Sequence, residues 1–251
     1  LSQAAVSIGP VFAVVLAALV LLAVAAALAG RLGAGRAIVS ASLRAIVQLA
    51  AVSVLIAAVL RSWWATAAFV TLMVLVAAAT SARRIGSWDL ARFTILPIVA
   101  GALPAGVLIV AAGAVPLSEV AVLPIAGILI GGAMTATSLS GRRALDELHN
   151  RFGEYEAALA LGFLPRDAAL EVCRPTAGQA LVPALDQTRT VGLVTLPGAF
   201  VGVLLGGGSA VQAGATQLMV LVALLAVEAI AVAVTIELVA RGSVRRRDAS
   251  A

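Results

Sequence analysis

Apolar residues fall in seven stretches of roughly membrane-crossing length, at 8–29, 43–60, 65–80, 94–113, 120–141, 188–206 and 217–239. A helix crossing the hydrocarbon layer needs about 20 mostly apolar residues. The pattern therefore predicts an all-α, polytopic membrane protein with about seven spans, organised as a single transmembrane domain over residues 1–251. The second and third stretches are short and are joined by Arg61-Ser62-Trp63-Trp64. Tryptophan favours the headgroup layer, which places that turn at a membrane surface. The first stretch is too long for the apolar core of a signal peptide and has no basic residue before it, so it reads as a retained helix.

The longest polar interval, about 142–186, lies between the fifth and sixth stretches and holds the sole histidine, His149, and the sole cysteine, Cys173. Its periodicity predicts two helices. Leu145, Leu148, Phe152, Tyr155 and Leu159 recur at three- and four-residue steps, an apolar stripe on a charged helix that prolongs segment five. Gly162 has the position of a helix C-cap, Pro165 suits the first turn of the next helix, and Pro175 is expected to stop it. Such a hairpin either fills a groove on a soluble partner or lies along the membrane surface.

Charge sets the orientation. All 17 basic residues are arginine. Arg31, Arg36, Arg83, Arg84, Arg92, Arg142, Arg143, Arg151, Arg166 and Arg174 lie in the loops after the first, third and fifth stretches, and Arg241, Arg245, Arg246 and Arg247 in the tail. The opposite loops hold only Arg61. The positive-inside rule then puts the N-terminus outside, the C-terminus inside and the polar interval in the cytoplasm. Composition agrees, with 62% hydrophobic and 12% charged residues and a mean hydropathy of +1.12. The net charge of +5 does not point to nucleic acid, because the arginines are dispersed singly or in pairs between apolar segments. Without lysine the chain has no Walker A loop, so any ATP that drives it is bound by another polypeptide.

Ionisable groups inside spans are costly and mark function by default. Arg44 and Gln48 share one face of segment two. Glu228 lies near the middle of segment seven, where a carboxyl must be neutral, paired or wetted, with Arg44 or Arg189 as possible partners. Glu237 reads as an interfacial charge. Asp186-Gln187-x-Arg189 opens segment six, and Asp186 and Arg189 are spaced to pair. Together with Met134 these residues are candidates for the substrate path. Pro197, Gly198, Gly202 and Gly206 in segment six, and Gly127 and Gly131 in segment five, form small-residue ridges. Packing within one subunit and contact between subunits both fit them. His149 and Cys173 have no second ligand at metal-binding spacing, and Met73, Met134 and Met219 stand singly, so no metal site is identified.

Glu156-Ala157-Ala158, followed by Gly162 and then Val172-x-x-Pro175, resembles the EAA loop of ABC-transporter permeases, with Val172 and Arg174 replacing the family's isoleucine and leucine. Arg44-Ala45-Ile46-Val47-Gln48-Leu49, Pro124-Ile125-Ala126-Gly127, Leu159-Ala160-Leu161-Gly162 with Pro165, and Thr190-Val191-Gly192-Leu193-Val194-Thr195-Leu196-Pro197-Gly198 are similar to the FetB-like permeases, which include iron exporters and plant proteins linked to aluminium tolerance. The resemblance implies a multi-pass permease of the plasma membrane that exports iron or another metal ion. It implies a homodimer surrounded by lipid and a separate nucleotide-binding subunit that holds ATP and Mg, this chain binding no cofactor itself. Glu156, Ala157, Ala158, Gly162, Pro165 and Arg166 would couple to that subunit. In one place the chain departs from the family's Gly-Asn-Ala-Met, reading Gly131-Gly132-Ala133-Met134. The alternatives from the residues alone are an ion-gradient-driven transporter or channel with Glu228 as protonation site, and a non-transporting scaffold that recruits a soluble protein.

Overall fold

The computed structural model describes residues 9–86 and 88–243, so Arg245, Arg246 and Arg247 lie outside the described residues. The chain divides into two compact units, Leu1–Ala65 and Thr66–Ala251. In the first, α1 (Pro10–Ala29) and α2 (Gly35–Val59) pack on each other as a helical hairpin. Pro10 starts α1 at the position where a missing N–H costs nothing. The turn between them carries two left-handed residues, Arg31 and Gly33.

The second unit is built on α3 (Trp63–Ile85), α4 (Ala91–Ala111), α5 (Glu119–Asn150) and α10 (Ala210–Ala240). Helices α4, α5 and α10 pack pairwise, and Ile98, Leu129, Val227 and Ala231 are fully buried among them. Glycines set the closeness of these crossings. A Cβ on Gly101 of α4 would stand 2.6 Å from the Val227 carbonyl oxygen of α10, and one on Gly141 of α5 would stand 2.6 Å from Ile85 Cδ1 of α3. Hydroxyls tie the bundle where hydrophobicity has no purchase, in an environment as apolar as the side chains themselves. Thr94 donates to the Ala78 carbonyl at 2.8 Å, and Ser81 to the Met134 carbonyl at 3.1 Å. Helices α5 and α10, at 32 and 31 residues, are each about 47 Å long by helical rise, against about 30 Å of hydrocarbon. Both exceed the length that the apolar layer requires, and α5 leads directly into the polar interval.

That interval comprises α6 (Phe152–Ala160), α7 (Pro165–Ala177), a 3-10 turn (Gly178–Leu181) and α8 (Val182–Thr190). Helix α5 is prolonged as expected but not through Leu159: the chain bends at Arg151 (φ −113°, ψ 31°) before α6 starts. Pro175 does not stop α7, which continues to Ala177. It removes one N–H from the last turn, while the buried Ala169, Leu170, Val172 and Cys173 hold the helix in place.

Six helices are long and apolar enough to cross a membrane: α1, α2 to Ile56, α3, α4 with the turn before it, α5 and α10. The expected span at 188–206 is not a seventh continuous helix. Helix α8 ends at Thr190, Gly192 is left-handed (φ 81°), its N–H donates to the Thr195 carbonyl at 2.9 Å, and only eight residues, α9 (Gly198–Leu205), are helical thereafter. Pro197 stands at the N-cap of α9, outside the helix. The reason is local. Proline has no N–H for the i−4 carbonyl and pushes the residue before it out of the helical region, which hydropathy does not register.

Candidate functional site

The hairpin α6–α7 is shaped by its turn. Helix α6 closes with the Phe163 N–H on the Ala158 carbonyl (3.1 Å) and the Gly162 N–H on the Leu159 carbonyl (2.9 Å). This closure puts Gly162 at φ +92°, a conformation that side chains rarely adopt. Pro165 then opens α7 at its first position, as anticipated. The turn leaves three large apolar side chains in the open: Leu161 is 80% exposed, Phe163 47% and Leu164 67%. They lie beyond the apolar ends of the spans, beside exposed Glu156, Ala157 and Arg166 on the same hairpin, with Ala158 half-buried.

Ion pairs hold the hairpin to the bundle. At its base, Arg151 binds Glu154 with two guanidinium nitrogens and reaches the Val172 carbonyl of α7 at 3.4 Å. The pair raises the Arg151 pKa and lowers that of Glu154, the hydrogen bonds between them being the main cause. On the far side, Arg166 of α7 grips Glu237 of α10: Nε donates to Oε1 at 2.7 Å and Nη2 to Oε2 at 2.8 Å. Arg241 donates to the same Oε1 at 2.6 Å, and Arg166 also reaches Asp167 at 2.7 Å. The Glu237 carboxylate holds the Arg166 guanidinium above its ordinary value. Between the hairpin and α10 lies a groove of ≈ 740 Å³ bordered by Leu148, His149, Tyr155, Leu164, Arg166 and Arg241. Cys173 is buried, with Sγ 3.6 Å from the Ala144 carbonyl, and burial pushes its thiol up to about 11. It is a small packing residue rather than a nucleophile.

Arginines gather at this end of the second unit. Arg83 and Arg84 close α3 beside Ile85, which packs on Gly141, and Arg142 and Arg143 follow directly on α5. Arg189 lies 3.5 Å from Asp186, an exposed pair at the end of α8, with Gln187 exposed between them. Deeper in the bundle, Glu228 of α10 is 8% exposed and lies against α5, where a Cβ on Gly132 would be 3.1 Å from its Oε1. Met134 is half-buried, its carbonyl taken by Ser81 and Ser138. A Cβ on Gly127 would stand 3.1 Å from Met73 Cε of α3, whereas one on Gly131, Gly198 or Gly202 would meet no other element within 4 Å in the second unit. Arg44 and Gln48 are a turn apart on α2, in the first unit.

A family model described as "Uncharacterised protein family (UPF0014)" matches residues 11–243. The chain belongs to that family. It is 32% identical to the UPF0014 membrane protein STAR2 of Oryza sativa over 208 residues, covering 81% of this chain and 73% of that protein. It is 37% identical to Protein ALUMINUM SENSITIVE 3 of Arabidopsis thaliana over 126 residues, 50% of this chain and 46% of the relative. It is 34% identical to the Probable iron export permease protein FetB of Escherichia coli over 116 residues, 45% and 43% of the two. The chain thus spans less than half the length of the Arabidopsis and E. coli relatives it matches. No solved structure matches it significantly. The UPF0014 chain is a multi-pass membrane protein related to FetB-like permeases.

Two relationships escaped the sequence. Glu237, by its sequence position an interfacial charge, pairs with Arg166 of the hairpin 71 residues away, beyond any local spacing rule. Gly132, where the chain departs from the FetB-like pattern, lies against Glu228. Only the parallel packing of α5 and α10 brings those two positions together, as it does Gly141 and Thr235 further along.

Proposed function

We propose that this chain is the membrane-spanning subunit of an ATP-driven exporter of a metal ion in the plasma membrane, working as a homodimer with a separate nucleotide-binding subunit that carries ATP and Mg. One observation carries the reading: a helical hairpin, set beyond the apolar ends of the spans at the arginine-rich end, exposes Leu161, Phe163 and Leu164 at its tip. An apolar tip in water is stable when a protein seats on it. The Arg166–Glu237 fork, which ties α7 to the end of α10, supports a hairpin that projects from the bundle over one that lies along the membrane. The lack of lysine supports an ATP site on another chain. Metal export as the cargo class is carried over from the E. coli relative, a probable iron export permease, and the Arabidopsis relative is named for aluminium sensitivity.

In the proposed cycle, closure of two nucleotide-binding subunits displaces the hairpins, and the Arg166–Glu237 fork passes that displacement to α10. The test is co-expression with a candidate ABC-type nucleotide-binding subunit from the same genome, followed by purification and ATPase assay in nanodiscs. The two chains are expected to co-purify, and Leu161→Asp with Phe163→Asp to abolish the association while leaving the permease folded. Association that survives both substitutions rejects the docking role of the tip.

A further inference from the structure

We propose that Glu228 is a proton-exchange site in the middle of the second unit, distinct from any site for metal cargo. Its carboxyl lies near the centre of α10 and is 8% exposed. It sits where α10 crosses two helices closely: Gly101 of α4 abuts the Val227 carbonyl, and Gly132 of α5 abuts Glu228 itself. Among the described residues no hydrogen bond or ion pair reaches this carboxyl. A glutamate kept for structure is held by a partner; this one has only the room left by a missing side chain at Gly132.

The surroundings decide which ligand it takes. Helix α4 has no charged residue after Arg92, α5 has none between Glu119 and Arg142, and α9 and the 3-10 turn have none. On α10 the next charge is Glu237, already held by Arg166 and Arg241. On α7 and α8, Asp167 pairs with Arg166 and Asp186 with Arg189, and Glu171 and Arg174 are exposed; on α5, Arg142, Arg143, Asp146, Glu147 and His149 all lie ten or more residues beyond Gly132. A divalent cation needs several oxygen ligands or a cluster of imidazole and thiolate. No group of three or more His, Cys, Asp or Glu placed to hold a metal ion occurs among the described residues. One isolated carboxyl in an apolar crossing suits a proton, which needs one oxygen and leaves no net charge behind.

In the packed arrangement the carboxyl carries its proton. When α10 draws away from Gly101 and Gly132 and water enters, the O–H bond breaks, the proton passes to water and the carboxylate remains; repacking takes a proton back. Glu237 lies nine residues further along the same helix, so motion of the hairpin reaches this crossing through α10. The inference does not depend on ATP as the energy source and stands or falls separately from the exporter reading.

The experiment treats the full chain in nanodiscs with N,N′-dicyclohexylcarbodiimide, an apolar reagent that adds to protonated carboxyls, and follows the peptide containing Glu228 by mass spectrometry. An adduct at Glu228 is expected, with an initial rate that falls more than about tenfold between about pH 6 and about pH 9. Glu228→Gln removes the adduct without altering elution as a folded species. Infrared difference spectra provide a reading independent of reagent access: a carboxylic C=O band that is absent in Glu228→Gln and is replaced by a carboxylate band as pH rises. No adduct together with no titrating band overturns the proposal, and so does labelling that is flat with pH. Blocking of the adduct by Mn²⁺ overturns the proton assignment in favour of a metal.

Discussion

Glu237 presents both carboxylate oxygens to the guanidinium of Arg166, joining the hairpin helix α7 to the end of α10 across 71 residues of chain. A two-point fork constrains orientation as well as distance, which is the geometry a link between movement of α7 and the end of α10 requires. Arg241 braces the same carboxylate from one turn further along α10. If this is the transmission element, Arg166→Glu is expected to lower permease-dependent stimulation of the partner ATPase by about fivefold or more, the lower range of coupling between linked sites. Glu237→Arg behaves the same way. The double exchange, Arg166→Glu with Glu237→Arg, recovers much of the loss, whereas a role limited to surface charge gives additive losses.

Gly162 has a different sensitivity. At φ +92° with nothing within 4 Å of an added Cβ, it is constrained by backbone conformation alone. Gly162→Val is expected to cost about 1–2 kcal/mol of strain. Gly162→Asn costs less, because asparagine tolerates the left-handed region. Thermal unfolding of the two variants in detergent, ranked against wild type, checks the order. Equal stability for valine and asparagine contradicts the turn assignment.

What was legible in the sequence follows from what its signals measure. Hydropathy and turn residues are local, so α1, α3, α4, α5 and α10 fell near the expected stretches, and Gly162 and Pro165 fell at the turn they mark. Hydropathy cannot see a proline's effect on hydrogen bonding, so the run through Leu193 and Val194 read as helix although Gly192 and Pro197 break it. The candidate site divides along the same line. Its hairpin was visible as a motif; the Glu237 anchor and the Gly132–Glu228 contact were not, because both arise from helices brought together by tertiary packing.

The glycines separate into two classes with opposite expectations. Gly101→Ala places a Cβ 2.6 Å from the backbone carbonyl of Val227, which has no side-chain rotamer by which to yield. Overpacking of that kind costs about 1–3 kcal/mol. Gly198→Ala and Gly202→Ala meet no neighbour in the second unit and are expected to leave the thermal unfolding of the monomeric chain unchanged. Should these two shift a dimer–monomer equilibrium while monomer stability holds, the ridge on α9 packs against a second copy.

Cys173 gives the last prediction, and it turns on pH. Burial raises its thiol from the ordinary 9.0 to about 11. At pH 8 the thiolate, the reactive form, is then about one part in a thousand of the folded protein. Alkylation by iodoacetamide at pH 8 is expected to be undetectable in the folded chain and rapid after unfolding. The sign of the linked stability follows. Because the folded thiol holds its proton to higher pH than the unfolded one, the unfolded state binds fewer protons through the interval between the two values. Stability therefore declines as pH rises from the ordinary thiol value of 9.0 towards about 11. Cys173→Ala removes this part of the alkaline slope, measured as the difference in unfolding temperature across that interval. Fast alkylation of the folded chain at pH 8 would instead place Cys173 in contact with solvent, against its burial beneath Ala144.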